Sequence, residues 1–474
     1  MASGISGRPD LLLPWLDRLA GQWPDRVALI LPEGNETFTY RDLQRRANAA
    51  AAWLSERGVG RGDRVAALLH NGVTLIDLIF ACGRLGAILA PLSWRLSPRE
   101  LAELVSDLEP SLILTEPELS DLAQAASGQV PVTILTNGPA SANELTANQP
   151  LPPSTACMAD PWIILFTGGT TGTAKGALLT HGSITWNAIN TAVSWGLAPS
   201  DIAPIFTPMF HTGGINVFTL PLLLLGAQVI LPRRFDPAAA LRTLIDRRPS
   251  LLFMVPTMFG QVAAQPGFAE ADLSSIRWAI SGGAPLPGPV FAQWSPKVRI
   301  FKQGYGLTEV GPNNFATADA DARRLQGRTV GRLTQFARAR IVDSAGNEVE
   351  DGEPGELLLA GPHVCAGYWR RPEDTAAAIR DGWFHTGDLA RRDPEGFHYI
   401  VDRKKDLIIT GGENVYPTEV EAALHEHPAV REAAVIGVPD PVWGEAVTAV
   451  VALHAGQAET AEGLCEYLRE RLAR

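Results

Sequence analysis

The stretch FTGGTTGTAKG, Phe166 to Gly176, follows the apolar run Trp162-Ile163-Ile164-Leu165, and its reading decides the fold. It places four glycines, four threonines and one lysine at a strand end, a composition that packing does not require. Glycine lets the backbone approach an anion and aim several N–H groups at it, threonine hydroxyls add donors, and lysine supplies a point charge. The loop therefore reads as a polyphosphate cradle. It does not align with G-x-x-x-x-G-K-[ST], because Ala174 precedes Lys175 and Gly176 follows it.

Outward from this loop, short apolar runs alternate with helical patterns. Val65 to Leu69 precedes Val73 to Leu85, Trp162 to Thr167 precedes Ser183 to Val193, and Gln228 to Leu231, Leu251 to Val255, Arg277 to Ser281 and Val298 to Lys302 follow. Strand, crossover and strand in series predict an α/β fold of parallel sheets with ligands at the strand C-terminal ends. From about Val330 the texture changes to glycine-punctuated strands, Ala339 to Val342, Gly355 to Ala360 and Gly396 to Val401, which predicts an antiparallel, β-barrel-like subdomain. A charged joint, Asp402 to Asp406, leads to a small α+β unit. Its first helix is expected to start on a capping box from Thr418 to Glu421, and its last to bury Leu464, Leu468 and Leu472 on one face. The predicted division is a large domain over 1–402, a hinge at 403–405 and a small mobile domain over 406–474. The segment from Gln129 to Pro153, rich in Pro, Ser, Thr and Asn, reads as a surface connection.

Composition narrows the function classes. A chain of 474 residues with 46% hydrophobic residues is long enough for more than one core. Its net charge of -11, without blocks of like charge, argues against a nucleic-acid partner. The four cysteines, Cys82, Cys157, Cys365 and Cys465, show no metal spacing and fit a reducing compartment. No secretory signal pattern opens the chain, so a cytoplasmic location is expected. Ile215 to Leu231 is interrupted by Asn216, Pro221, Gly226 and Gln228, and reads as a buried helix and strand rather than a membrane span.

Six ordered motifs then carry a resemblance: FTGGTTGTAKG, PMFHTGG (Pro208 to Gly214), SGGAPLP (Ser281 to Pro287), YGLTE (Tyr305 to Glu309), GWFHTGD (Gly382 to Asp388) and VDRKKDLIITGGENVYPTEVE (Val401 to Glu421). In this order the chain resembles the adenylate-forming superfamily of acyl-CoA synthetases, peptide-synthetase adenylation domains and luciferases. The resemblance implies activation of a carboxylate with ATP to an acyl-adenylate, followed by transfer to a thiol, usually coenzyme A. It implies that Lys175 with Thr167, Gly168, Gly169, Thr170, Thr171 and Gly172 holds the β- and γ-phosphates, and that Thr308 touches the α-phosphate. Glu309 is similar to the family's magnesium carboxylate, a hard oxygen ligand suited to Mg²⁺ on phosphates. Gly283, Ala284 and Pro285 with Tyr305 and Gly306 correspond to the adenine slot, and Asp388 and Arg403 to the ribose contacts. His211, with Gly213, Gly214, Gly282 and Gly306, corresponds to the carboxylate's surroundings. Lys405 matches the hinge about which the small domain turns, and Gly411, Gly412 and Trp443 match the coenzyme A channel.

The chain also departs from the family's pattern. Gly168 stands where serine is usual and Ala174 where proline is usual. The family carries a late glycine-lysine motif, whereas the given sequence has no lysine after Lys405 and ends in EYLRERLAR. The expectation is a truncated chain or inefficient adenylation, with a loss of about 10² to 10³ in rate for one missing transition-state donor. PMFHTGGINVF offers no acid to pair with an α-amine, so the substrate is expected to be a carboxylate without one. The apolar segments GGINVF and LFMVPTMF lead toward a medium- or long-chain fatty acid, with an aryl acid such as o-succinylbenzoate or a cinnamate as the alternative. Two further readings stay open: delivery to a carrier protein, and non-catalytic adenylate binding. The expected partners are the carboxylate, ATP and coenzyme A, with a homodimer left open.

Overall fold

The computed structural model describes residues 15–135, 154, 156–168, 174–410 and 412–472. Its first sheet has six strands in the spatial order Val132–Ile134, Leu112–Thr115, Arg64–Leu68, Ile88–Pro91, Pro161–Thr167 and Lys175–Thr180. Neighbours are parallel up to Pro161–Thr167, which pairs antiparallel with Lys175–Thr180. These strands are nearly continuous apolar runs, as parallel strands covered on both faces must be. The helix Val73–Leu85 covers one face and Pro98–Leu108 belongs to the core cluster on the other.

A second sheet orders Glu36–Thr39, Val27–Leu31, Gln228–Ile230 and Ile202–Pro204. A parallel bridge from Ile205 to Phe253 carries it into the parallel strands Leu251–Met254, Trp278–Ser281 and Phe301–Gln303. The helix His181–Trp195 lies between these regions. It starts on a capping box of Thr180 and Ser183 and stops at Gly196, whose φ of 61° suits glycine. The Trp195 indole donates to Phe315 O at 2.9 Å, which ties the helix end to the following section.

The expected barrel-like section is an antiparallel sheet of Arg338–Val342, Gly355–Ala360, Trp383–Arg392, Ile379–Arg380 and His398–Arg403, with no closing pair among the described residues. The small unit pairs Glu413–Val415, Ile408–Thr410, Gly444–Leu453 and Val430–Asp440, and Leu464, Leu468 and Leu472 pack against its core. Two sequence expectations change. The helix Pro417–His425 has Tyr416 at its N-cap, and Thr418 instead hydrogen-bonds back to Val401 O and the Asp402 carboxylate. Glu421 accepts from Val435 N at 2.9 Å, so the residues of the supposed box tie the helix to two strands. Val132–Ile134, expected as loop, is an edge strand of the first sheet, while 136–153 lie outside the described residues. Among the described residues no helix is long and apolar enough to cross a membrane.

Candidate active site

Strand register brings the phosphate-loop residues together. Thr167 and Lys175 are register partners across the antiparallel hairpin, so they stand side by side at the two ends of the segment that joins its strands. The Thr167 hydroxyl lies 3.3 Å from both Lys175 O and Glu309 Oε1. Glu309 is buried and also accepts from the Tyr368 hydroxyl at 2.9 Å. Lys175 Nζ sits 2.6 Å from Asp374 Oδ1 and 5.5 Å over the Tyr368 ring. Tyr368 reaches this place because its segment adds to the edge of Lys175–Thr180: Leu178 N donates to Gly367 O and Trp369 N to Gly176 O. Cys365 N donates to Glu309 O at 2.7 Å, fixing the acidic residue's backbone as well.

The second group is set by the antiparallel sheet, where Asp388 and Arg403 are register partners. Arg403 Nε is 3.5 Å from Asp388 Oδ1, and the Tyr305 hydroxyl donates to Asp388 Oδ2. Burial raises the Asp388 pKa, against the hydrogen bond from Tyr305, and burial first and then Asp388 raise that of Tyr305. The turn after Tyr305 is tight. A Cβ on Gly306 would lie 2.3 Å from Gly311 O, so only glycine fits there.

These groups face one cavity of about 1190 Å³. Thr167, Gly168, Lys175, His211, Gly213, Gly282, Gly283, Tyr305, Gly306, Thr308, Glu309, Asp388, Arg403 and Lys405 all line it. Gly214 does not line it: a Cβ there would lie 2.3 Å from Pro208 O, so this glycine is required by backbone packing. Ala284 and Pro285 are exposed and outside the lining, as are Gly412 in the loop after Ile408–Thr410 and Trp443, which is 60% exposed in the turn before Gly444–Leu453. Gly169, Thr170, Thr171, Gly172 and Gly411 lie outside the described residues.

The far end of the cavity is apolar, with Trp195, Phe206, Phe253, Val255 and Met258 in its wall. Gly213 and Gly282 sit against the Phe253 ring, where an added Cβ would come within 3.2 and 3.3 Å of it. His211 caps the short helix Thr212–Ile215, its ring centroid 4.5 Å from that of Phe210. Burial, and then the Arg95 charge, hold its pKa below the usual value, which keeps the imidazole neutral at pH 7.

Sequence reasoning missed Tyr368 and Asp374, and also a cationic rim. Arg95 lies over Trp94 at 5.0 Å and Arg234 over the same ring at 5.8 Å. Arg233 pairs with Glu116 at 2.9 Å and Arg234 with Glu118 at 2.7 Å. His70, Glu116 and Glu118 lie close enough together to hold a metal ion, but both carboxylates are already neutralised by these arginines. The signal for the rim was its place: SWR and PRR each follow the C-terminal end of a parallel strand, Ile88–Pro91 and Gln228–Ile230.

One side of this cavity thus offers a lysine, hydroxyls and a buried carboxylate for a metal-bound polyphosphate, another an acid and an arginine for hydroxyls, and the far end a dry wall. A family model described as AMP-binding enzyme matches residues 16–369, and one described as AMP-binding enzyme C-terminal domain matches 419–474. A feruloyl-CoA synthase from Amycolatopsis is 41% identical over 461 residues, covering 96% of this chain and 92% of that protein. An indoleacetate–CoA ligase from Aromatoleum aromaticum is 35% identical over 98% of this chain and 92% of its own length. The crystal structure of ATP-bound MatB from Rhodopseudomonas palustris superposes with a TM-score of 0.88 at 32% identity, over 97% of this chain and 92% of that one. With both models matched in order and relatives aligned along nearly its whole length, this chain belongs to the AMP-binding enzyme family, the adenylate-forming acid–thiol ligases.

Proposed function

We propose that this chain activates an aryl carboxylic acid of the hydroxycinnamate class with ATP and transfers the acyl group to coenzyme A. The observation that carries the aryl reading is the far end of the cavity. Gly213 and Gly282 let the Phe253 ring lie directly against their backbone, and Phe253, Trp195, Phe206 and Met258 together form an aromatic-rich apolar wall. A planar acid gains from such a wall, because aromatic contacts add about 0.5–1.5 kcal/mol beyond the area they bury. The feruloyl-CoA synthase and indoleacetate ligase relatives support a planar acid over the fatty acid first expected.

In this reading the neutral His211 lets the substrate carboxylate approach the α-phosphorus without pairing with an imidazolium. A carboxylate oxygen attacks, the bond to the bridging oxygen breaks, and pyrophosphate departs. Lys175 and Thr167 offset the charge that grows on the leaving group, which is where preorganised donors act most strongly. Asp388 and Arg403 fix the ribose, and Thr308 faces the α-phosphate. Glu309, held by Thr167 and Tyr368, has the hard anionic oxygen that Mg²⁺ requires, and the ion would neutralise charge on the phosphates. Coenzyme A then supplies a thiolate that attacks the acyl carbon, and AMP leaves. Lys404 and Lys405, just after the strand His398–Arg403, line the cavity, and we assign the turn of the small domain to this joint.

The test is thioester formation with ATP, Mg²⁺ and coenzyme A across ferulate, 4-coumarate, indoleacetate, octanoate and palmitate, followed by mass spectrometry. Hydroxycinnamates should give kcat/KM at least tenfold above the fatty acids. Equal or higher values for palmitate would replace the aryl reading with a long-chain one.

A further inference from the structure

Lys175 stands at the base of the phosphate loop that this reading assigns to the nucleotide's terminal phosphates, yet it is already engaged. Its ammonium lies 2.6 Å from Asp374 Oδ1, with the lysine side chain 19% and the aspartate 37% exposed. Asp374 is not part of the cavity lining and comes from the helix Pro372–Ala378 behind it. The segment that presents it is firmly built. Tyr368 N donates to Thr375 Oγ1 at 2.9 Å, and Thr375 Oγ1 donates to Arg371 O at 2.8 Å. Gly367 takes a φ of 127° where a Cβ would strike Thr375. Arg371 is anchored to Asp107 at 3.3 Å and the Trp369 indole to Asp107 O at 3.2 Å. The carboxylate is therefore held at the lysine by the fold, not by chance rotation of two long side chains.

We propose that Asp374 occupies Lys175 in place of the nucleotide's terminal phosphates, and that ATP binding exchanges the carboxylate for phosphate, so that Asp374 sets the affinity for nucleotides carrying those groups. The exchange is physically cheap on one side and favoured on the other. A partly exposed ion pair contributes little, so releasing it costs little, whereas the triphosphate brings several negative charges to the same ammonium. Once the lysine has turned to phosphate, the Asp374 charge is left close to the anion and opposes it. As pyrophosphate departs, the carboxylate recaptures the lysine and resets the site. Tyr368 stays on Glu309 throughout, so the exchange is confined to one side chain.

This inference rests on the ATP reading of the cavity, and the test separates the two. ATP and AMP affinities are measured by titration calorimetry on the full chain, as purified, and on Asp374→Asn, Asp374→Ala, Lys175→Met and the double variant Lys175→Met/Asp374→Asn. The expected result is ATP binding about three- to fivefold tighter in both Asp374 variants, in line with the strength of partly exposed pairs. AMP, which lacks the terminal phosphates, should bind unchanged, and the gain from Asp374→Asn should shrink once Lys175 is Met, because only the carboxylate's repulsion of the phosphates is then left to relieve. A loosened helix would weaken binding or move ATP and AMP together. Unchanged or weaker ATP binding in both variants, while the parent binds ATP, overturns the exchange and leaves the nucleotide site standing. A parent chain that binds neither nucleotide overturns both readings.

Discussion

The two ends of the cavity are built on opposite principles. At the nucleotide end the central charged groups are paired inside the protein: Lys175 with Asp374, Glu309 with Thr167 and Tyr368, Asp388 with Tyr305 and Arg403. At the acyl end the wall is apolar below a rim of arginines, and His211 is kept neutral by burial and by Arg95. Charge chemistry at the first end demands particular residue types, because a carboxylate supplies the anionic oxygen a hard cation prefers and an ammonium or guanidinium the positive charge that offsets phosphate. Shape at the second end is satisfied by many combinations of Phe, Trp, Met and Val. The nucleotide end should therefore fail through single charges and the acyl end through volume.

The largest expected effect breaks the charged end. Glu309→Gln keeps the hydrogen bonds from Thr167 and Tyr368 but removes the negative charge. Pyrophosphate release should fall by about 10² to 10³, the scale of losing one transition-state electrostatic group, with thermal stability nearly unchanged. A loss under tenfold would mean that the carboxylate is structural. Next comes a volume test. Gly282→Ala places a methyl 3.3 Å from both Gly304 O and the Phe253 ring. Because the Gly304 backbone cannot yield, the KM for the acid should rise about tenfold, in the range that one overpacking methyl costs. The affinity for ATP should not move. If ATP affinity falls equally, the two ends are one mechanical unit and the contrast collapses.

The smallest effect concerns His211. Burial lowers its pKa first and Arg95 lowers it further, so Arg95→Ala should raise it toward the unperturbed value near 6.5. Below that pKa the ring becomes cationic beside the substrate carboxylate, so acid binding in the variant should tighten as the pH falls through it, and above pH 7 the two proteins should bind alike. An imidazole titration followed by NMR checks the direction. A pKa that stays put on loss of Arg95 would leave burial as the whole cause.

The same contrast explains what was legible in the sequence. Lys175 was read from the composition of its loop, and Glu309, Asp388 and Arg403 from the ordered motifs of the family the chain resembles; the structure brings all four to one cavity. Tyr368 and Asp374 escaped because they reach the loop through pairing of 366–369 with the edge of Lys175–Thr180, a contact nearly 200 residues away in sequence (Lys175 to Asp374 spans 199). Gly213 and Gly282 were found, but the Phe253 ring that gives them meaning comes from a separate strand, Leu251–Met254. The parallel architecture followed from alternating runs. The antiparallel character of the later section followed from its glycine-punctuated runs, but its strand order did not, since register in an antiparallel sheet is not displayed by a single sequence. Thr418 to Glu421 matched a capping box in letters, yet both side chains found tertiary partners that outcompeted the local bonds.

The central claim is that this one cavity joins an aryl carboxylate to the α-phosphate of ATP. The direct measurement is pyrophosphate release from ATP with Mg²⁺ and ferulate, read beside AMP and feruloyl-CoA formation when coenzyme A is added, with the Glu309→Gln variant as the blank. The account predicts pyrophosphate release that depends on the acid, AMP and thioester in equal amounts once coenzyme A is present, and near silence in the variant. ATP bound with no acid-dependent pyrophosphate release, for aryl and fatty acids alike, would contradict it.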